Sequence, residues 1–292
     1  MSEPAPDAWQ QRIAAAFVEA CRDELAAPKP GNVHVFADGH RMTTADFELS
    51  AAAAAGPLTA AGARVGQRIL GAVEATFAAV GSNTNLGIVL LCAPLAAAAE
   101  PAPHDLRTAL VKVLGALDWE DAELAFRAIV RALPAGLGHA ERFDVFAPAT
   151  VSLREAMAEA AGRDRIALQY ATGFADIFER GVPALAAGLA VSLDRRFAVL
   201  SAYLGFLAAF PDSHILRKHG AAAAEQVCRD AAQLGERVQT AHRLDDVLPA
   251  VLAWDAELKQ AGINPGTSAD LTVATLFAHR LRTILPTARN SD

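Results

Sequence analysis

Apolar residues recur through most of this chain at the three- and four-residue intervals of an α-helix, and the alternation of a half-buried strand persists nowhere. Residues 8–26 read as a first helix. The Pro28-Lys29-Pro30-Gly31 element ends it, because a proline ring clashes with the preceding turn and glycine opens the chain. Thr43 or Thr44 is placed to cap a second helix starting near Asp46, and residues 61–80 form a third. An apolar helix follows the small polar residues 81–87. Leu106, Leu110, Val113, Leu114 and Leu117 then repeat at helical spacing. Further helices are expected over 118–133, 151–161 and 164–180, the last with Ile166, Tyr170, Phe174, Ile177 and Phe178 on one face. Residues 183–210 give two segments broken at Asp194-Arg195-Arg196. Two more cover 221–240 and 246–261, and a final loop and helix begin at Ile263. The expected fold is all-α, a single compact multi-helix bundle over residues 1–292, with neither repeats nor a low-complexity linker.

Four polar islands interrupt the helices, at residues 28–50, 81–87, 211–220 and 264–270. Each falls at a predicted helix connection and combines Gly, Pro, short amides or hydroxyls with isolated charges. Such loops are suited to building the walls of a pocket on a helical scaffold.

Composition narrows the function. The 292 residues are 53% hydrophobic and 20% charged, enough for a sizeable core, while aromatics are 6% and alanine dominates, so helices can approach closely. The net charge of −7 argues against a general nucleic-acid binder, which needs a basic face, but leaves room for a local anion pocket. Cys21, Cys92 and Cys228 show neither zinc spacing nor a disulfide framework. The acidic, polar N-terminus is unlike a signal peptide, and the longest apolar runs fall short of the roughly 20 residues that span a bilayer. The expected protein is soluble and cytoplasmic, with no membrane partner; Ala-rich exposed helix faces would suit a homodimer.

The segments Pro28-Lys29-Pro30-Gly31-Asn32-Val33, Asp46-Phe47 with Ser50, Asn83-Thr84-Asn85-Leu86-Gly87, residues 211–220 and residues 264–271 occur in an order that resembles the triphosphoribosyl-dephospho-CoA synthase family. The resemblance implies an all-α transferase that uses ATP as co-substrate, with Mg2+ on the triphosphate. A hydroxyl of 3'-dephospho-CoA displaces adenine from C1 of the ATP ribose. The product is the precursor of the prosthetic group of the acyl carrier proteins of citrate lyase and malonate decarboxylase.

Under that resemblance the islands acquire roles. Lys29, on its rigid turn, suits a phosphate contact, with Gly31, Asn32 and Ser50 beside it at the nucleotide. His34 and His40 can bind phosphate or shuttle a proton. Asp46 is a candidate catalytic group and metal ligand, although an acid at a helix start is favoured by the dipole in any case. Asn83, Thr84 and Asn85 precede a helix, so one should cap it while free amides bind phosphate. Asp212 could ligate magnesium or act with His214 as the catalytic base; its plainer reading is an N-cap or an ion pair with Arg217. Arg217, Lys218 and His219, followed by Gly220, form a cationic cluster suited to phosphates. Ser268 could cap the last helix, and Asp270 could be a further metal ligand.

This chain also departs from citrate-lyase-type members. It has His40-Arg41-Met42 in place of a His-Lys-Asp-Met run, Asn85-Leu86 in place of His-Lys, and Arg217-Lys218-His219-Gly220 in place of Arg-Gly-Gly. The donor site can be kept while the acceptor pocket changes. The alternatives are transfer onto the ribitol arm of a tetrahydromethanopterin precursor, or a non-catalytic nucleotide-binding member.

Overall fold

The computed structural model describes residues 6–39, 42–134 and 136–286; His40 and Arg41 lie outside the described residues. Among those described, the regular structure is fourteen α-helices and one π-helical turn. No sheet forms among the described residues: the β-pairing consists of isolated bridges, His34 with Ala37 and Gly39 with Met42. The helices are α1 Pro6–Ala26, α2 Thr44–Leu58, α3 Val65–Val80, α4 Leu86–Ala99, α5 Leu106–Ala116, α6 Trp119–Ala132, α7 Leu153–Ala160 and α8 Arg165–Thr172. After the π-helical turn Asp176–Gly181 come α9 Val182–Val191, α10 Arg195–Leu207, α11 Ser213–His219, α12 Ala221–Thr240, α13 Leu244–Gln260 and α14 Gly266–Ile284. The all-α expectation holds. No described helix is long and apolar enough to cross a membrane.

Caps explain most of the boundaries. Thr43 accepts from the Asp46 amide while Asp46 returns a bond to the Thr43 amide, a reciprocal capping box that starts α2. Asp105, Asp118, Ser152, Asp164 and Asp194 start α5, α6, α7, α8 and α10 by accepting first-turn amides.

Helix α4 is apolar on every side and is buried along nearly its whole length, as such a helix must be. α14 is also buried on several faces; its Thr272 and Thr275 return their hydroxyls to Ser268 and Leu271 carbonyls one turn back. α1, α4 and α10 all pack on α14. A second apolar cluster, including Tyr203, Ile215, Val227 and Val251, unites α10 to α13.

Two expectations need correction. Residues 164–180 are not one helix. The chain turns left-handed at Gly173 (φ +64°) and Phe174 (φ +60°) and restarts as the π-helical turn. Arg165 makes two bonds to the Asp176 carboxylate, at 2.7 and 2.9 Å, and Gln169 exchanges bonds with Asp176, which clamps the break shut. Ile166, Tyr170, Phe174 and Ile177 still share one buried side, so their spacing conceals the break. The second correction concerns residues 211–220, expected as a polar interruption: they contain the short helix α11.

The α9–α10 crossing depends on a missing side chain. A Cβ at Gly188 would lie 2.6 Å from the Ala198 Cα and 2.9 Å from its Cβ. Gly188→Ala gains up to about 1 kcal/mol of helix propensity, but overpacking against backbone costs about 1–3 kcal/mol. Urea denaturation should therefore show a lowered midpoint; a raised one would contradict this crossing.

Candidate active site

A cavity of about 570 Å³ opens where the connections meet, a size usual for small-molecule sites. Its walls come from the entry to α4 (Asn83 to Gly87), the entry to α14 (Asn264, Gly266, Thr267, Asp270) and α11 (His214, Arg217). Glu24 and Asn32 add the end of α1 and the loop after it, and the segment after α6 closes another side. All four islands thus reach one space through at least two of their residues, the first of them through Asn32, Met42 and Phe47.

Asp212 joins two of these walls. It is fully buried. One carboxylate oxygen accepts from the His214 and Ile215 amides at 2.9 and 3.3 Å and so caps α11. The other accepts from the Ser268 amide at 2.7 Å and its hydroxyl at 2.8 Å, inside the first turn of α14. Burial pushes its carboxyl above the usual range, and these donors pull it back. Both oxygens are therefore occupied, and Asp212 does not line the cavity. The plainer N-cap reading describes its geometry, and Arg217 pairs instead with Asp164 at 2.5 Å.

Asp270 does line the cavity. A Cβ at Gly87 would fall 2.0 Å from its Oδ2, so the glycine of Asn83-Thr84-Asn85-Leu86-Gly87 makes room for this carboxylate over the first turn of α4. Burial first, then the carboxylates of Asp212, Glu24 and Asp164, push the Asp270 carboxyl well above its ordinary range; Arg217 opposes them. Gly266 serves His214 in the same way, since a Cβ there would lie 2.5 Å from the imidazole Nδ1.

The segment from Pro28 to His34 is tied down on all sides. The Tyr203 hydroxyl donates to the Pro30 carbonyl at 2.7 Å, and the Gly31 amide donates to Asp255 at 2.8 Å. Gly31 has φ +81° and sits so close to Pro265 and Ile263 that no side chain fits. His34 is buried with its Nε2 3.4 Å from Asp255, and Lys259 donates to Asp255 at 3.0 Å. Burial pushes the His34 pKa down. Lys29 is 0% exposed and ion-paired with Glu24, and its ammonium reaches Asn32 Oδ1 at 3.3 Å. Burial drives Glu24 up and Lys29 down, and each counters the shift of the other.

The remaining candidates divide. Asn83 Oδ1 accepts from the Leu86 amide at 3.1 Å, and the buried Asn85 donates to Thr76 at 3.0 Å; both still face the cavity, as does Thr84, whose hydroxyl donates to Ser50 at 2.6 Å. Ser50 donates in turn to the Asp46 carbonyl at 2.6 Å. Asp46 is engaged in the capping box, which lowers its pKa, and does not itself line the cavity, although its neighbour Phe47 does. His219 contacts the Gly262 carbonyl at 3.1 Å on the surface, and Gly220, with φ +84°, starts α12. Among the described residues no three His, Cys, Asp or Glu side chains converge to hold a metal.

Sequence reading passed over Glu24, Asp164 and the wall of residues 133–134 and 136–145, which brings Arg142 and His139 to the cavity. Glu24 had a signal: it continues the buried stripe Ile13, Phe17, Ala20 of α1, where an acid is out of place.

The sequence pattern that defines ATP:dephospho-CoA triphosphoribosyl transferases matches residues 10–287. The chain belongs to that family. It is a triphosphoribosyl transferase by family membership. A crystal structure from Archaeoglobus fulgidus, described provisionally as a triphosphoribosyl-dephospho-CoA synthase, superposes with a TM-score of 0.59 at 24% identity. That match covers 80% of this chain and 96% of the other, and shows a shared fold. No curated protein sequence matches the chain significantly.

In this family member, Asp212→Asn should behave as a structural change. An amide offers one accepting oxygen where the two helix starts need two, leaving buried donors unpaired at a cost of about 1–3 kcal/mol. Thermal and urea unfolding should show that loss. Full stability combined with abolished turnover would contradict the bridging role and point to chemistry at this carboxylate.

Proposed function

We propose that the cavity binds ATP together with a hydroxyl-bearing acceptor, 3'-dephospho-CoA, and that the acceptor oxygen displaces adenine from C1 of the ribose. The observation that carries this reading is the convergence of the helix starts of α4 and α14, Arg217, the buried Glu24 carboxylate and the half-buried Asp270 carboxylate on one cavity, in a chain of this family. Helix starts and guanidinium groups suit a triphosphate. The carboxylates suit the ribose, the attacking hydroxyl and a cation. Residues 1–292 are read as one catalytic domain.

Magnesium fits this cavity in a limited way. Asp212 has both oxygens occupied and Asp46 does not line the cavity, but Asp270 faces it with its charge poorly compensated. Magnesium commonly takes one or two carboxylates plus phosphate oxygens and water. Asp270 is therefore the residue that would hold it, and the ion would neutralise triphosphate charge. The chain itself supplies the shape and the orientation.

Leu86 lines the cavity where the citrate-lyase-type pattern has lysine. That difference is why the ribitol arm of a tetrahydromethanopterin precursor belongs in the test as a second acceptor. Incubation with ATP and magnesium should yield a triphosphoribosylated acceptor by mass spectrometry and one adenine per adduct. Phosphate or AMP release without free adenine would contradict the proposal.

A further inference from the structure

The residue of the α1 end and its following loop that meets the cavity with a charge is not Lys29. Lys29 is wholly buried and absent from the walls, while its ion-pair partner Glu24 lines them. We infer that Glu24 is a catalytic residue of the transferase, the group that takes the proton of the attacking hydroxyl, and that Lys29 is its positioning residue and not a phosphate ligand. The inference rests on the transfer reading above.

Three observations carry it. Glu24 occupies a position on the core stripe of α1, where an unpaired acid is costly, so its retention there requires a partner, and Lys29 is that partner. Among the described residues only Oε1 of Glu24 is engaged, which leaves Oε2 free to accept. The pair is also held rigidly: Lys29 donates to Asn32, and Asn32 donates to Asn264 at 2.8 Å beside the start of α14. Asn32 and Asn264 both line the cavity, so one chain of polar contacts runs from Glu24 to the α14 wall. The other candidate carboxylates are differently placed. Asp212 is filled by four donors, Asp164 is paired with Arg217, Asp144 is engaged by His139 and the Ala140 and Phe146 amides, Asp270 is the candidate ligand of the cation, and Asp46 does not line the cavity.

The step balances without a further reactant. The acceptor oxygen forms a bond to C1 of the ribose as the C1–N bond to adenine breaks. The bonding pair leaves with adenine, which takes up one proton, and the acceptor proton passes to Glu24 and then to solvent.

The test compares Glu24→Gln, Lys29→Met and the double variant with the wild type, measuring turnover by adduct formation and ATP affinity by calorimetry. Glu24→Gln keeps the shape and an oxygen for Lys29. It should lower kcat about 100-fold or more, the scale of lost general-base catalysis, with the ATP Kd changed by less than about threefold, on the scale of a factor of 10 per 1.4 kcal/mol. Lys29→Met should do the same. If that single variant does not fold, the double variant, which removes the pair together, should still bind ATP like the wild type. A Glu24→Gln enzyme with wild-type kcat, or ATP binding weakened about tenfold or more on loss of Lys29, would overturn the inference while leaving the transfer reading in place. No adduct from the wild type with either acceptor would overturn both.

Discussion

One carboxylate joins the two helix starts on which the cavity depends. Asp212 accepts the first-turn amides of α11 with one oxygen and the Ser268 amide and hydroxyl of α14 with the other, across 56 positions of sequence. Each helix start carries unpaired N–H groups and a partial positive charge, so a single buried anion satisfies both. α14 is the helix against which α1, α4 and α10 pack. Fixing its first turn therefore fixes where Asp270 stands, one turn or less from Ser268, and what it faces across Gly87 on α4.

The same device recurs with other charges. Asp255 accepts from Gly31 and Lys259, and Asp121 accepts from the Gly66 amide at 2.8 Å, where a Cβ on that glycine would strike the Asp121 backbone. Arg68, nearly fully buried, reaches the Leu58 and Ala63 carbonyls and Glu100. Asp255 and Asp121 each anchor the backbone of a distant loop or helix start, and Arg68 holds the adjoining turn between α2 and α3 while pairing with Glu100. Removing one member of such a buried pair costs about 3–5 kcal/mol, mostly because the other is left uncompensated. An Ala-rich core offers little side-chain interlocking, and these charged anchors give the loops a single arrangement.

The helices were legible because alanine and leucine repeat at helical spacing and short polar residues stand at their starts. Thr43, Asp118 and Asp212 are caps that the local sequence announces. The break at Gly173 was hidden because Phe174 keeps the buried side in phase. The islands around Asn83 and Asn264 were legible as cavity walls, since they gather glycine and short amides between helices, even where one of them, Asn83, also bonds the first amide of α4. Glu24 and Asp255 were not found by searching loops. Both sit on apolar helix stripes, with Ile13 and Phe17 or with Val247 and Val251, and an acid on such a stripe is the sign of a buried partner elsewhere. Which partner it has depends on contacts far apart in the chain, and local spacing carries no trace of them.

The central claim is that separate loops form one nucleotide cavity. Amide hydrogen exchange with and without magnesium and ATP tests it directly, because bound ligand raises the protection of the backbone it orders. Joint protection of residues 83–88, 213–217 and 264–270 is the result the account predicts. Protection elsewhere on the helices, with the starts of α4 and α14 unchanged, would contradict it.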